Sequence, residues 1–276
     1  MAKSAALPTD LKPRIASGLV LAGLALAANW AGPLALAALI GLIGILMAWE
    51  WGHVVRHTSF DPATLVHAFT GAVATVLMAT GNGAYALAAT AVGAASVAAI
   101  LRDRSAVISA AGVIYTALPA AALIWLRSSE PLGLVAVLFV FAIVWTTDTF
   151  SYVCGKLIGG PKMWPTVSPG KTWAGTVGGV LFAGAAALLF PYVAAAGDVI
   201  YLPVGGIVLA AAVQAGDLME SALKRAYGVK HASTLIPGHG GFMDRMDGIV
   251  AAAVMAAMLG LAFNKTSPAH GLLYGW

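Results

Sequence analysis

The sequence predicts an all-α, polytopic integral membrane protein, and three observations predict it. Of its residues, 60% are hydrophobic and only 9% are charged, with a mean hydropathy of +0.89. A soluble domain carries about a quarter charged residues, so charge is too scarce here to coat a water-facing surface. The apolar residues fall in blocks long enough to cross a bilayer. The basic residues fall between those blocks, nearly all on alternate sides.

A helix needs about 20 apolar residues to cross the hydrocarbon core. About nine transmembrane helices are expected: Ile15–Ala31, Pro33–Trp49, Ala63–Thr80, Ala84–Leu101, Ser105–Leu126, Leu132–Thr147, Trp173–Ala196, Val199–Gln214 and Ile249–Phe263. Lys3, Lys12 and Arg14 precede the first run, but no small-x-small cleavage site separates it from the second, so it reads as a retained span. Gly175 and Gly179 have the GxxxG spacing that lets two helices approach closely. The single cysteine, Cys154, excludes an intrachain disulfide framework. One membrane-embedded domain is expected over 1–276, with N-terminal spans across 15–147 and a catalytic part across 148–263.

Thirteen of the 15 Lys and Arg residues fall on one side of this arrangement; Arg127 and Lys265 fall on the other. Positive residues stay in the cytoplasm, which predicts a cytoplasmic N-terminus and an outside C-terminus. The acidic residues split the same way, with only Glu130 and Asp198 outside. Carboxylates obey this rule poorly, so their clustering on the inner side needs another cause.

Two inner segments are long, Phe150–Thr172 and Ala215–Gly248. Long loops in compact proteins are functional or disordered, and neither segment is low in complexity. In the second, "DLMESALKR" places Asp217, Glu220, Ser221, Lys224 and Arg225 at i, i+3, i+4, i+7 and i+8. On a helix these share an arc of about 140°. A solvated amphipathic helix would show the same pattern. However, Asp217 ends an apolar span, where a carboxylate is costly without a partner.

The segment then turns through "IPGHGGFMDRMDG", whose glycines, Gly240 and Gly241 among them, are expected to expose N–H groups as an anion cradle. Asp244 and Asp247 follow on one face of the next helix start. Asp217 and Asp244 can meet if the loop folds back. Beside Lys224, Arg225, Lys230 and Arg245, such a pair has the composition for hard metal ions plus phosphates. The upstream segment contributes Asp148, Ser151, Lys156, Lys162, Ser168, Lys171 and Thr172. "GKT" at 170–172 is not a P-loop: the required first glycine is Pro165, and no strand is expected before it.

The stretch "SALKRAYGVKHASTLIPGHGGFMDRMD", Ser221 to Asp247, resembles the signature of phosphatidate cytidylyltransferases, also called CDP-diacylglycerol synthases. The family pattern runs Ser-x-apolar-Lys-Arg, Lys-Asp, Pro-x-His-Gly-Gly and Asp-Arg-x-Asp. This chain departs from it at His231, where the family has Asp. "QAGDLMES" and "VSPGKTW" also look like the family, although Ala174 follows the latter where Glu is usual.

The resemblance implies a multi-span α-helical enzyme that joins CTP to phosphatidate, giving CDP-diacylglycerol and pyrophosphate in phospholipid biosynthesis. It implies Mg²⁺, with a second, monovalent cation left open, and a homodimer; no nucleic-acid partner is expected. Carried over by position, Asp217 and Asp244 match the metal-binding carboxylates. Lys224, Arg225, Lys230, His239, Arg245 and Asp247 match the rest of the signature, and Ser168 and Lys171 the upstream motif. Ser221, Asp148, Gly240 and Gly241 are expected at the substrates.

The chemistry agrees with the residues. An anionic lipid phosphate needs no serine or cysteine intermediate to attack a nucleotide, so positioning and charge neutralisation suffice. CTP is cytosolic and phosphatidate lies in the leaflet. The site is therefore expected at the cytoplasmic face of the inner (plasma) membrane.

Three other readings are weighed. An ion transporter would carry acids in mid-span, whereas these lie near cytoplasmic ends. A CDP-alcohol phosphotransferase would carry a repeated Asp motif that is absent. A cytidylyltransferase for a different lipid phosphate stays open. His53 and His57 read as interfacial polar residues, Glu50 in "WEW" as an interface anchor, and His67 and His270 as structural.

Overall fold

A computed structural model describes residues 11–58, 60–190, 201–236 and 240–275, with side chains from residue 16 onward. Ten helices and one β-ribbon are described. In chain order they are α1 (Leu11–Ala31), α2 (Pro33–Arg56), α3 (Pro62–Ala79), α4 (Gly83–Leu101), α5 (Ala106–Arg127), α6 (Gly133–Leu157), β1 (Lys162–Trp164), β2 (Ser168–Thr172), α7 (Trp173–Ala187), α8 (Tyr201–Ala226), α9 (Met243–Phe263) and α10 (Pro268–Tyr274).

Seven of these helices, α2 to α6, α8 and α9, are long and apolar enough to cross a membrane. The apolar stretch of α1, Ala16–Ala31, and α7 are shorter. The expected span Trp173–Ala196 runs past the described residues at 191, and Val199–Gln214 begins before them. Large apolar side chains such as Leu19, Leu42, Phe69, Val92 and Leu181 point outward. That is the arrangement of a protein solvated by lipid, where helix surfaces gain nothing by hiding leucine.

Local chemistry sets the helix ends. Asp61 caps α3 by accepting the N–H of Thr64 at 2.6 Å, with Pro62 in the first turn. Thr172 caps α7 by accepting from Gly175. The largest core cluster unites α5 to α10 around Phe139, Ile143, Leu209 and Val213. The small residues act as expected: Gly175, Gly178 and Gly179 of α7 sit directly on Ser151, Cys154 and Thr147 of α6, where any Cβ would collide.

Several boundaries differ from the sequence expectation: the second helix runs to Arg56 rather than Trp49, and α7 ends at Ala187 rather than Ala196. The sixth helix does not stop at Thr147 but continues to Leu157, so Asp148 and Ser151 lie on a helix rather than at a loop edge. The eighth continues past Gln214 to Ala226, as the helical placement of Asp217 to Arg225 expects. The ninth begins at Met243, ahead of the apolar run at Ile249, so Asp244 and Asp247 lie at its start as expected. The segment around "GKT" holds a two-stranded antiparallel ribbon that pairs Lys162 with Thr172 and Trp164 with Ser168. Hydropathy loses a helix when its residues turn polar, but the backbone hydrogen bonds continue. A three-residue strand is too short to leave a period-2 signal.

Candidate active site

The polar residues of α6, β2, α8 and α9 converge on one cavity of about 610 Å³. Helix crossings place them. Gly216 lets α8 approach α9 until an added Cβ would stand 2.6 Å from the Asp247 carbonyl oxygen, and Gly248 fits against Val213. The neighbours of these glycines, Asp217 and Asp247, both line the cavity within electrostatic reach of each other. β2 brings Ser168 and Lys171 over the opening, and Arg225 at the end of α8 donates to the Val167 carbonyl at 3.3 Å.

Asp148, Ser168, Lys171, Asp217, Ser221, Lys224, Arg225, Lys230, Asp244, Arg245 and Asp247 all line this cavity, although they come from positions 148 to 247 of the chain. His231 lines it too, with Nδ1 3.7 Å from the Asp244 carboxylate. His239 lies outside the described residues.

The predicted polar face of α8 exists, but it points inward. Glu220 is 1% exposed and Lys224 is buried, while Met219 on the other side is open. A helix in lipid inverts the soluble amphipathic rule, because the protein interior is the polar refuge. Lys224 forms ion pairs with Glu220, at 2.6 Å, and with Asp244. Lys171 lies 2.7 Å from Asp217, and it also donates to the Gln214 side chain, which donates on to Ser151.

The two expected metal carboxylates differ in availability. Asp217 is partly open, with one oxygen on Lys171 and the other accepting weakly from Ser221 at 3.4 Å. Asp244 is buried. One of its oxygens is held by Lys224, and the other accepts from the N–H groups of Ala232 at 3.0 Å and Gly241 at 2.9 Å. Among the described residues no three His, Cys, Asp or Glu side chains form a ready ligand shell. Asp217, with the charges of Asp148 and Asp247 within electrostatic reach, fits a hard cation that keeps phosphate and water in most of its shell. Asp244 offers less, because both of its oxygens are engaged by Lys224 and by the N–H groups of Ala232 and Gly241.

The glycine-loop expectation needs correcting. Gly240 donates to the Ile236 carbonyl and Gly241 donates to Asp244. The next two N–H groups, of Phe242 and Met243, both donate to Glu50. These amides serve the protein's own acceptors, and neither glycine lines the cavity. Gly240 supplies a φ of +88° and space for Asp244; Gly241 supplies space for Glu50.

Sequence reading missed Gln214 as a site residue and read Glu50 as an anchor in an aromatic belt. For Gln214 the signal was present, as a polar residue inside an apolar run. For Glu50 it was not, because its partners lie about 190 positions away.

A second cavity of about 500 Å³, lined mainly by apolar residues of α1, α2, α5, α6 and α9, adjoins the first. Asp148 and Arg245 line both. Fold and site together define a membrane protein whose charged, lysine- and carboxylate-lined cavity meets a greasy one at a shared arginine.

The model of the cytidylyltransferase family matches residues 12–263. Over 272 residues the chain is 35% identical to the phosphatidate cytidylyltransferase of Brucella abortus biovar 1 (strain 9-941), covering 97% of this chain and 100% of that one. It is 38% identical over 149 residues to that of Rickettsia bellii (strain RML369-C), covering 51% and 64% of the two chains. With the enzyme of Bacillus subtilis (strain 168) it shares 41% over 123 residues. The chain belongs to the cytidylyltransferase family.

Proposed function

We infer that this protein transfers the cytidylyl group of CTP to phosphatidate, giving CDP-diacylglycerol and pyrophosphate in phospholipid biosynthesis. The single observation that carries the reading is the junction of the two cavities at Asp148 and Arg245. A water-soluble triphosphate and a membrane-borne phosphate can meet there without either leaving its own solvent.

In the reaction an oxygen of the lipid phosphate attacks the α-phosphorus of CTP. The new P–O bond forms as the α–β bridging P–O bond breaks, and pyrophosphate leaves with the electron pair. The nucleophile already carries negative charge, so no proton need be removed by a base. Lys171, Arg225 and Lys230 hold the triphosphate at the open side of the cavity, and Arg245 orients the lipid phosphate at the junction. Lys224 stabilises charge on the deeper phosphate oxygens. Asp217 and Asp244 would hold Mg²⁺, and a second, monovalent cation remains part of the reading. Bound there, the ion would neutralise phosphate charge and steady the attacking and leaving oxygens.

The proposal extends to nine spans, with α1 and α7 among them, a cytoplasmic site in the inner membrane and a homodimer. The basic residues support the orientation, since thirteen of 15 share one side of that arrangement. Cysteines at Ser128 and Ser267 in a Cys154→Ala background should label from outside intact cells. Labelling only after permeabilisation would reject the orientation.

His231 motivates a second reading, a cytidylyltransferase for another lipid phosphate. Purified protein given CTP with phosphatidate, a single-chain lipid phosphate or a polyprenyl phosphate separates the two. CDP-lipid and pyrophosphate should form in equal amounts with phosphatidate. Turnover with another lipid alone would favour the second reading, and turnover with none would sink both.

A further inference from the structure

We propose that Glu50 is a positioning residue for this site, holding the segment that carries Lys230, His231 and Asp244 in its working geometry from the opposite half of the chain. The proposal rests on the functional reading above.

Glu50 sits on α2, an apolar membrane helix, and is 0% exposed. A buried carboxylate there is costly unless its oxygens are satisfied. Among the described residues it forms no ion pair with a basic side chain. Instead Oε1 accepts from Ser233 Oγ at 2.5 Å and from Phe242 N at 2.8 Å, and Oε2 accepts from Met243 N at 2.7 Å. All three donors belong to the connection between α8 and α9 and to the first residue of α9. Helix N-termini leave N–H groups unsatisfied and carry partial positive charge. Phe242 precedes α9 and Met243 opens it, so Glu50 acts as their anion.

Two carboxylates therefore grip one short segment from opposite sides. Glu50 holds Ser233, Phe242 and Met243; Asp244 holds Ala232 and Gly241. The adjacent glycines fit this double grip. A Cβ on Gly240 would press on Asp244, and a Cβ on Gly241 would collide with Glu50. Apolar packing reinforces it, since Met47, Trp51 and Val54 of α2 share a cluster with Ala232 and Met243. Glu50 lines neither cavity, so it reaches the substrates only through this segment.

The test uses full-length protein in detergent–lipid micelles. Glu50→Gln keeps the length but turns an amide NH₂ toward one of the backbone N–H donors. It should lower kcat about tenfold to a hundredfold, the scale of a small misplacement, and raise KM for CTP, because Lys230 lies on the displaced segment. Amide exchange should quicken in a peptide covering 240–246 and stay native in α3 and α4. Gly241→Ala should lower kcat similarly. Adding the shorter Glu50→Asp to Gly241→Ala should restore part of it, because the collision is relieved.

Native kcat in Glu50→Gln, or native exchange at 240–246, overturns the proposal while leaving the functional reading intact. Absence of CTP-dependent product in the native protein would instead sink that reading, and the exchange result still decides whether Glu50 holds the segment. If every variant shows faster exchange throughout the chain, Glu50 is a general stability element and the proposal is overturned.

Discussion

Among the described residues the side chains of Arg56, Arg127 and Lys224 are each less than a tenth exposed, and Arg56 and Lys224 are neutralised in opposite ways. Arg56 meets one carboxylate: it donates to Asp61 at 2.8 and 3.1 Å, to Thr64 at 2.6 Å and to Ser109 at 2.9 Å. Charge balances there, and the cluster lines neither cavity. Lys224 meets two carboxylates, Glu220 and Asp244, and faces a cavity that also holds Asp148, Asp217 and Asp247. The Glu220 oxygens have only the Lys224 ion pair. A matched, closed pair fixes helices. An open cavity lined by four Asp and six Lys or Arg side chains keeps charges of both signs where a ligand can reach them.

The largest effect is expected at Asp217. Asp217→Asn keeps the shape but removes charge from the open carboxylate. It should cut cytidylyl transfer about 10²-fold or more with little loss of fold, because an amide is cheaper at a membrane edge. Near-native turnover with an unchanged Mg²⁺ dependence would erase the distinction between the clusters. Arg56→Met should do the reverse. Leaving Asp61 unpaired but partly solvated should cost on the order of 1–3 kcal/mol of stability, read as a lower melting temperature in detergent. Turnover per folded molecule should stay within about twofold of native, since Arg56 does not line the cavities. A loss of turnover without a loss of stability would mean that Arg56 is tied to the active site.

The smallest effect sharpens the balanced side. Burial pushes the Asp61 carboxyl up, but the Arg56 guanidinium and Thr64 outweigh it and hold it below its ordinary 3.8. A carboxyl depressed in the folded state stabilises fully above its unfolded value. That contribution fades as pH falls from about 3.8 through the lower folded value. The melting temperatures of native protein and Asp61→Asn should therefore differ at pH 7, and the gap should shrink as pH falls below about 3.8. A gap that does not change with pH would assign the effect to capping geometry rather than charge.

Much of the site was legible because helical spacing converts directly into a face. Asp217, Glu220, Ser221 and Lys224 were placed together by 100° steps, and the observed contacts of Lys224 with Glu220 and of Ser221 with Asp217 follow from that alone. The glycine loop was legible only as a loop. Its conformation was not open to local reasoning, because its amides are claimed by Glu50 from α2 and by Asp244 from α9. The ribbon at Lys162–Thr172 escaped for a different reason: two short strands leave no period to read.

By itself the sequence determined the solvent, the helical class and the chemical inventory. Sixty per cent apolar residues with 9% charge cannot live in water, and in lipid the backbone must satisfy its own hydrogen bonds within helices. It also determined which residues carry charge in register with one another along α8. The tertiary structure alone decided which charges were spent. It closed Arg56 onto Asp61, set Lys224 between two carboxylates, turned Asp244 and Glu50 onto the loop amides, and left Asp217 open beside a cavity that meets the apolar one at Arg245. The reason is physical: periodicity fixes neighbours within a helix, whereas desolvation and pairing depend on which helices cross, and the small residues at the crossings set that distance.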